Sequence, residues 1–223
     1  MTKKREFYND KYYHIYNRGV DKRIIFQDKG DLYYFFDAIQ ISNSIEALNS
    51  NERNKKRKIL KENKNDDEKL VEIIAYSLLP NHFHFILKQK VENGISKFIS
   101  KLGGSYSQYF NSKYNRSGTL FQGRFKSKDI DGEFGREIVS AYVNLNYKHH
   151  NYDLKKDLVK TSLFEFLGEE KGDKICSEKE IKYILDTIGG VKEYKKFLRE
   201  QSKYFSERHK LNPEQIDFDE LEK

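Results

Sequence analysis

This 223-residue chain predicts an α+β fold: an antiparallel sheet with helices on one face, followed by a C-terminal helical extension. Three observations lead there. Residues 82–88 alternate with a period of two, sending Phe83, Phe85 and Leu87 to one side and His82, His84 and Ile86 to the other, as a strand does. Residues 94–115 space Ile95, Phe98, Ile99, Leu102, Tyr106, Tyr109 and Phe110 three and four apart, which is an amphipathic helix. The third is the order of elements, in which strand-like and helix-like stretches alternate across the first 150 residues.

Taken in order, Lys11–Arg18 is an aromatic, β-branched strand ended by Gly19. Asp28 or Asp31 can cap a helix carrying Leu32, Phe35, Phe36, Ile39 and Ile41, which continues towards Leu48. Residues 51–69 hold eight Lys/Arg and five Asp/Glu among few apolar residues, and read as a solvated, exposed insertion. Strands over 72–79 and 82–88 follow, joined by the turn signal Pro80-Asn81. The helix over 94–115 contains Gly103-Gly104, each weakening it by about 1 kcal/mol relative to alanine, so a bend is expected there. Residues 118–131 form a loop leading into a strand, and Asp131 caps a third helix reaching about His150. Strand, helix, strand, strand, helix, strand, helix is the order of a ferredoxin-like or RRM-like sheet. The sheet domain is thus expected over 1–151. Residues 152–223 are a helical extension with helices at 158–167, 178–188 and 191–205, and from Pro213 an acidic tail of five acids against one lysine.

Composition narrows the classes of function. Lys+Arg 42 against Asp+Glu 35 gives a net charge of +7, which suits a polyanionic partner without requiring one. One cysteine, Cys176, excludes an internal disulfide framework and fits a reducing compartment. The N-terminus lacks the apolar run of a signal peptide, and no stretch approaches 18 apolar residues. The expectation is a soluble protein of the cytoplasm with no membrane partner.

Two stretches could carry chemistry. On a strand, His82 and His84 stand roughly 7 Å apart along the backbone, close enough for both rings to lean onto one metal ion. On the third helix Tyr142 and Asn146 are four apart and share a face. An amide oxygen is a reasonable third ligand, and two imidazoles with one amide form a neutral set that leaves the full metal charge to polarise a phosphodiester. Spacing alone does not single out Tyr142, since Tyr106, Tyr109 and Tyr114 could make the same case. The second stretch, 97–128, holds seven basic residues and no acid, interleaved with seven aromatic rings. Cations suit phosphates and rings suit unstacked bases, a pattern for single-stranded or hairpin nucleic acid. The competing reading puts Phe98, Phe110 and Phe125 in the core.

The blocks Tyr13-His14-Ile15-Tyr16-Asn17-Arg18-Gly19, Leu79-Pro80-Asn81-His82-Phe83-His84, Tyr106 to Asn111, Arg116 to Ser127 and Tyr142-Val143-Asn144-Leu145-Asn146 resemble the single-tyrosine HUH transposases, most closely their REP-associated tyrosine branch. The resemblance covers residues 12 to about 200, with the blocks in the family's order and spacing. It implies His82, His84 and Asn146 as ligands of Mg²⁺ or Mn²⁺, and Tyr142 as the nucleophile. The implied activity is a metal-dependent single-stranded DNA endonuclease and strand-transferase that forms a 5′-phosphotyrosine at hairpin-forming elements. Arg18, Lys113, Arg116, Arg124, Lys126 and Lys128 are the expected DNA contacts. Two positions depart from the family pattern: Asn144 stands where histidine is common, and Tyr147 where proline is usual. A catalytically retired hairpin-binding module is the alternative, and the sequence leaves open a monomer or a homodimer with exchanged tyrosine helices.

Overall fold

The computed structural model describes residues 6–45, 69–130, 135–170 and 172–211. β1 (Tyr12–Arg18) closes at Gly19, where a Cβ would fall 2.2 Å from the Arg23 carbonyl oxygen, so the tight return admits only glycine. α1 (Lys29–Ser42) starts at Asp28 with a reciprocal cap. The Asp28 carboxylate accepts from the Asp31 amide at 3.0 Å, and the Asp31 carboxylate accepts from the Asp28 amide at 3.3 Å. The helix expected to continue towards Leu48 stops at Ser42. Asn43 explains the stop: its side chain exchanges two 2.9 Å hydrogen bonds with the backbone of Val71, fastening the chain to the next strand. The charged stretch 51–69 lies outside the described residues except for Lys69, which forms a bridge with Ser44.

β2 (Val71–Leu79) and β3 (His82–Gln89) pair antiparallel through the expected turn. α2 (Gly94–Lys113) runs through Gly103-Gly104 without interruption. β4 (Lys126–Asp129) and α3 (Arg136–His149) follow. Asp131, the expected cap of α3, lies outside the described residues, and the helix begins after Gly135. The helix expected over 158–167 is instead a two-residue strand, β5 (Lys160–Thr161), and one helical turn, α4 (Leu163–Phe166). The open edge of β2 is the reason. Ser162 takes both backbone groups of Tyr76, its amide donating to the Tyr76 carbonyl at 3.0 Å and its hydroxyl accepting the Tyr76 amide at 2.9 Å. α5 (Glu178–Ile188) matches its expected span, and α6 (Val191–Leu211) ends the described chain. The acidic tail from Pro213 lies outside the described residues.

The five strands are antiparallel in the order β4-β1-β3-β2-β5, so the histidine-bearing β3 is central. α1 and α2 share one face, as a ferredoxin-like order requires. Phe35 packs on Phe83 (5.4 Å between ring centres) and Phe98 on Phe85 (6.0 Å). Burying each of these β3 rings is worth roughly 1.5–3 kcal/mol. The sequence led us to expect helices on that face alone, yet α3 and α6 cover the other. Tyr142 of α3 lies over His84, and Phe205 of α6 lies over Tyr142. The difference is physical: β3 is apolar or histidine-bearing on both faces, and all its residues but Lys88 are buried.

Candidate metal and tyrosine site

The sheet supplies half of the site. His82 and His84 are 7% and 1% exposed, with ring centres 5.2 Å apart and planes at 82°. Antiparallel register sets Arg18 opposite His82 and Tyr16 opposite His84, and residues directly opposite share a face. His14, one step along β1, reaches diagonally, its Nε2 lying 2.9 Å from His84 Nδ1. The rings of His14 and Tyr16 lie nearly parallel to that of His84, at 15° and 11°.

His82 meets a side-chain carbonyl oxygen at each ring nitrogen. Nδ1 is 2.6 Å from Asn81 Oδ1 and Nε2 is 3.2 Å from Asn146 Oδ1. Burial lowers the His82 pKa to about 3, with His150 and Arg18 adding to the effect and the Asn146 hydrogen bond opposing it. A neutral imidazole has one N–H, yet this ring faces two carbonyl oxygens. With Nδ1–H donating to Asn81, the Nε2 lone pair points at the Asn146 oxygen, an opposition that a cation between them would resolve. His82 Nε2 and the Asn146 oxygen, 3.2 Å apart, would then both be donors to such an ion. His84 is pushed well below its ordinary pKa by burial and by the surrounding histidines, and its Nε2 is buried without a hydrogen-bond partner. These residues fit a divalent ion: neutral imidazoles with lone pairs available, and an amide oxygen beside them.

The helix supplies the rest. Tyr142, Asn146, His149 and His150 follow a stripe of four, then three or four residues along α3, hence one face. Tyr142 is 5% exposed, its ring 6.0 Å from that of His84 and 5.4 Å from those of His149 and Phe205. The His150 ring lies 4.4 Å from that of His82. Five of the chain's six histidines therefore gather here. Sequence reasoning missed Asn81 and three of the histidines. For His149 and His150 the helical period carried the signal, but for His14 it lay in strand register, which a sequence does not display. Tyr106, Tyr109 and Tyr114 lie on the opposite side of the sheet. Tyr106 donates to the Ile25 carbonyl, while Tyr109 and Tyr114 donate to Asp31 at 3.2 and 2.8 Å. That side also takes Phe98 and Phe110 fully into the core, with Phe125 half-buried against it.

The first departure from the family pattern has a structural account. Asn144 points away from the histidines and joins α3 to the C-terminal segment. Its amide donates to the Tyr194 hydroxyl at 2.9 Å, and its oxygen accepts from Ser162 at 2.6 Å and Thr161 at 3.4 Å. Tyr147 packs in the core at 9% exposed, and its carbonyl accepts from the Tyr152 amide at 2.8 Å.

The expected DNA-contacting cations divide. Lys126 and Lys128 stand opposite Tyr16 and His14 in register, so with Arg18 they share the histidine face. Lys126 Nζ lies 5.6 Å from the Tyr16 ring centre, and Arg18 bonds Gln122. Arg124 is exposed in the preceding loop. Lys113 and Arg116 are engaged elsewhere. Lys113 bonds Asp28 and buried Asp31, both at 2.7 Å, and Arg116 bonds Asn111 at 2.6 Å and the Thr119 carbonyl at 3.1 Å.

Fold and site together define an α+β protein whose central strand presents paired imidazoles to an amide and a tyrosine on one helix. The chain belongs to the IS200-like transposases: that family's pattern matches residues 33–146, just over half of the sequence, and takes in both strand histidines, Tyr142 and Asn146. Among solved structures, a REP-associated tyrosine transposase bound to a REP hairpin is similar at 14% identity, over 78% of this chain and 93% of that one, with a TM-score of 0.49. Comparison with curated protein sequences finds no match. No helix among the described residues is long and apolar enough to cross a membrane.

Proposed function

We propose that this transposase-family protein cleaves and rejoins single-stranded DNA at hairpin-forming elements through a covalent tyrosine intermediate. The observation that carries the reading is the gathering of His82, His84, Asn146 and Tyr142 in one buried cluster, in which His84 Nε2 has no hydrogen-bond partner. His82, His84 and Asn146 would hold Mg²⁺ or Mn²⁺. When bound, the ion supplies positive charge that polarises a phosphodiester oxygen and draws the phosphorus electrons away.

The chain's own residues do the remainder. The Tyr142 phenolic oxygen attacks phosphorus and gives its proton to solvent, and a P–O bond forms as the bond to the 3′-oxygen breaks. The 3′-oxygen takes up a proton and leaves as a free hydroxyl, while the 5′-phosphate stays on Tyr142. Because the bond energy is kept in the phosphotyrosine, the 3′-hydroxyl of another strand can reverse the step and join. Arg18, Lys126 and Lys128 share the face on which the strand would lie, and Arg124 adds an exposed cation beside it. Asn81 fixes the His82 tautomer from behind.

The test is a denaturing gel of the protein with labelled single-stranded hairpin DNA taken from beside its own gene. Runs would include Mn²⁺, EDTA and Tyr142→Phe, which removes only the attacking oxygen. A covalent shift that needs both the metal and Tyr142 is expected. Cleavage that survives Tyr142→Phe with no adduct would replace the tyrosine mechanism with water hydrolysis. Tight binding with no adduct under any condition would leave a hairpin-binding module.

A further inference from the structure

We infer that His14 of β1 is a positioning residue for the metal site: it fixes the ring of His84 so that Nε2, and not Nδ1, is presented to the ion. The inference rests on the reading of His82, His84 and Asn146 as ligands. Its ground is the 2.9 Å contact between His14 Nε2 and His84 Nδ1, both rings essentially fully buried. A nitrogen–nitrogen contact of this length is a hydrogen bond in which one ring donates and the other accepts. If His14 donated, His84 Nδ1 would be the acceptor and its proton would sit on Nε2. Each arrangement leaves one ring nitrogen buried without a hydrogen-bond partner, His84 Nε2 in this one and His14 Nδ1 in the other, so what separates them is which nitrogen of His84 is open to the ion. If His84 donates from Nδ1, Nε2 carries the lone pair and faces the ion. Only the second arrangement makes His84 a ligand through Nε2, and it requires an acceptor at His14 Nε2.

The backbone holds His14 there. β1 pairs with β3 along its whole length, and register sets Tyr16 against His84, so His14 occupies the neighbouring same-face position and reaches across diagonally. Tyr16 stacks on both rings, 5.1 Å from His14 and 5.4 Å from His84, so neither imidazole turns without displacing a third ring. His14 thus does for His84 what Asn81 does for His82, each ligand held from behind by one acceptor. The family match begins at residue 33, beyond β1, so this support comes from outside the matched stretch.

Mn²⁺ affinity of the full chain, read by electron paramagnetic resonance of the free ion without DNA, tests this. Four proteins are compared: the unsubstituted chain, His84→Ala, His14→Leu and His14→Gln. Leucine fills much of the space of the ring without an acceptor, whereas glutamine carries one at about the place of Nε2. His14→Leu should weaken Mn²⁺ binding 10- to 100-fold while His14→Gln stays within about threefold of the unsubstituted chain, the range expected for loss and retention of an outer hydrogen bond to a ligand. Unchanged affinity in His14→Leu would overturn the inference, as would equal weakening in both variants, since packing rather than the acceptor would then matter. An affinity indifferent to His84→Ala would instead remove the metal reading itself.

Discussion

Replacing Asn144 with alanine tests whether this residue, where the family resemblance leads one to expect histidine, has been reassigned to fastening the tyrosine helix. Asn144 is fully buried and makes two close hydrogen bonds, to Tyr194 at 2.9 Å and Ser162 at 2.6 Å, with a weaker third to Thr161 at 3.4 Å. Each good bond contributes about 0.5–1.5 kcal/mol net, and each buried group left unpaired costs about 1–3 kcal/mol. The second penalty is softened here, because Tyr194 keeps Ser140 at 3.3 Å and Ser162 keeps the Tyr76 carbonyl at 3.2 Å. The sum is roughly 2–4 kcal/mol of lost stability. For a chain of this size, 3 kcal/mol lowers the melting temperature by roughly 6–12 °C. Asn144→His should also destabilise, by about 1–3 kcal/mol, because a ring is forced into a closed site. Urea and thermal unfolding with two probes would measure both. A loss below about 0.5 kcal/mol in Asn144→Ala would refute the fastening role, since that is the scatter of ordinary surface substitutions.

Two further outcomes are expected. Burial holds the folded pKa of His14 and His82 at about 3, and that of His84 well below the ordinary value of 6.5, so the unfolded chain binds more protons than the folded one between those limits. Their contribution is fully present above about pH 6.5 and is lost as pH falls towards 3, at up to about 1.4 kcal/mol per pH unit for each ring. A melting temperature that stays flat from pH 6.5 to 5 would contradict it, because carboxylates titrate lower. The cations should separate by role. Arg124→Ala should weaken hairpin binding and reduce the slope of log affinity against log salt by about one. Lys113→Ala should leave that slope alone and cost roughly 1–3 kcal/mol of stability through the Asp28–Asp31 cap. Equal salt slopes for Arg124→Ala and the unsubstituted chain would remove Arg124 from the phosphate contacts.

Much of this was legible in the sequence wherever a period or a cap is local. The alternation around Phe83 and Phe85 gives β3, the 3–4 spacing gives α2, and Asp28 marks the start of α1. What escaped is set by partners far along the chain. β5 has two residues, too few to show a period, and exists because the edge of β2 is open. α3 is buried continuously from Val139 to Tyr147, so its sequence shows no clear polar face to read, and Ser140 and Asn144 both meet the Tyr194 hydroxyl, a neighbour that only the fold brings near. The same limit hid the second covered face of the sheet. The histidine side of β3 looks open in a strand pattern, yet it is closed by a helix from residues 136–149 and another from 191–211. Lys113 shows the converse: an acid-free local run concealed two carboxylates more than eighty residues earlier.

The central place of β3 bears on what a metal would and would not do for this protein. Many metal centres are assembled by their ion, and their ligands scatter when a chelator removes it. Here His82 and His84 ride on a strand that is paired along both edges and packed on both faces, while Asn81 and His14 brace the rings from outside. Their backbone is placed by strand pairing on both edges and by the apolar packing around it. If these residues hold an ion as proposed, removing it with EDTA should leave the protein folded, with a melting temperature close to that of the loaded form.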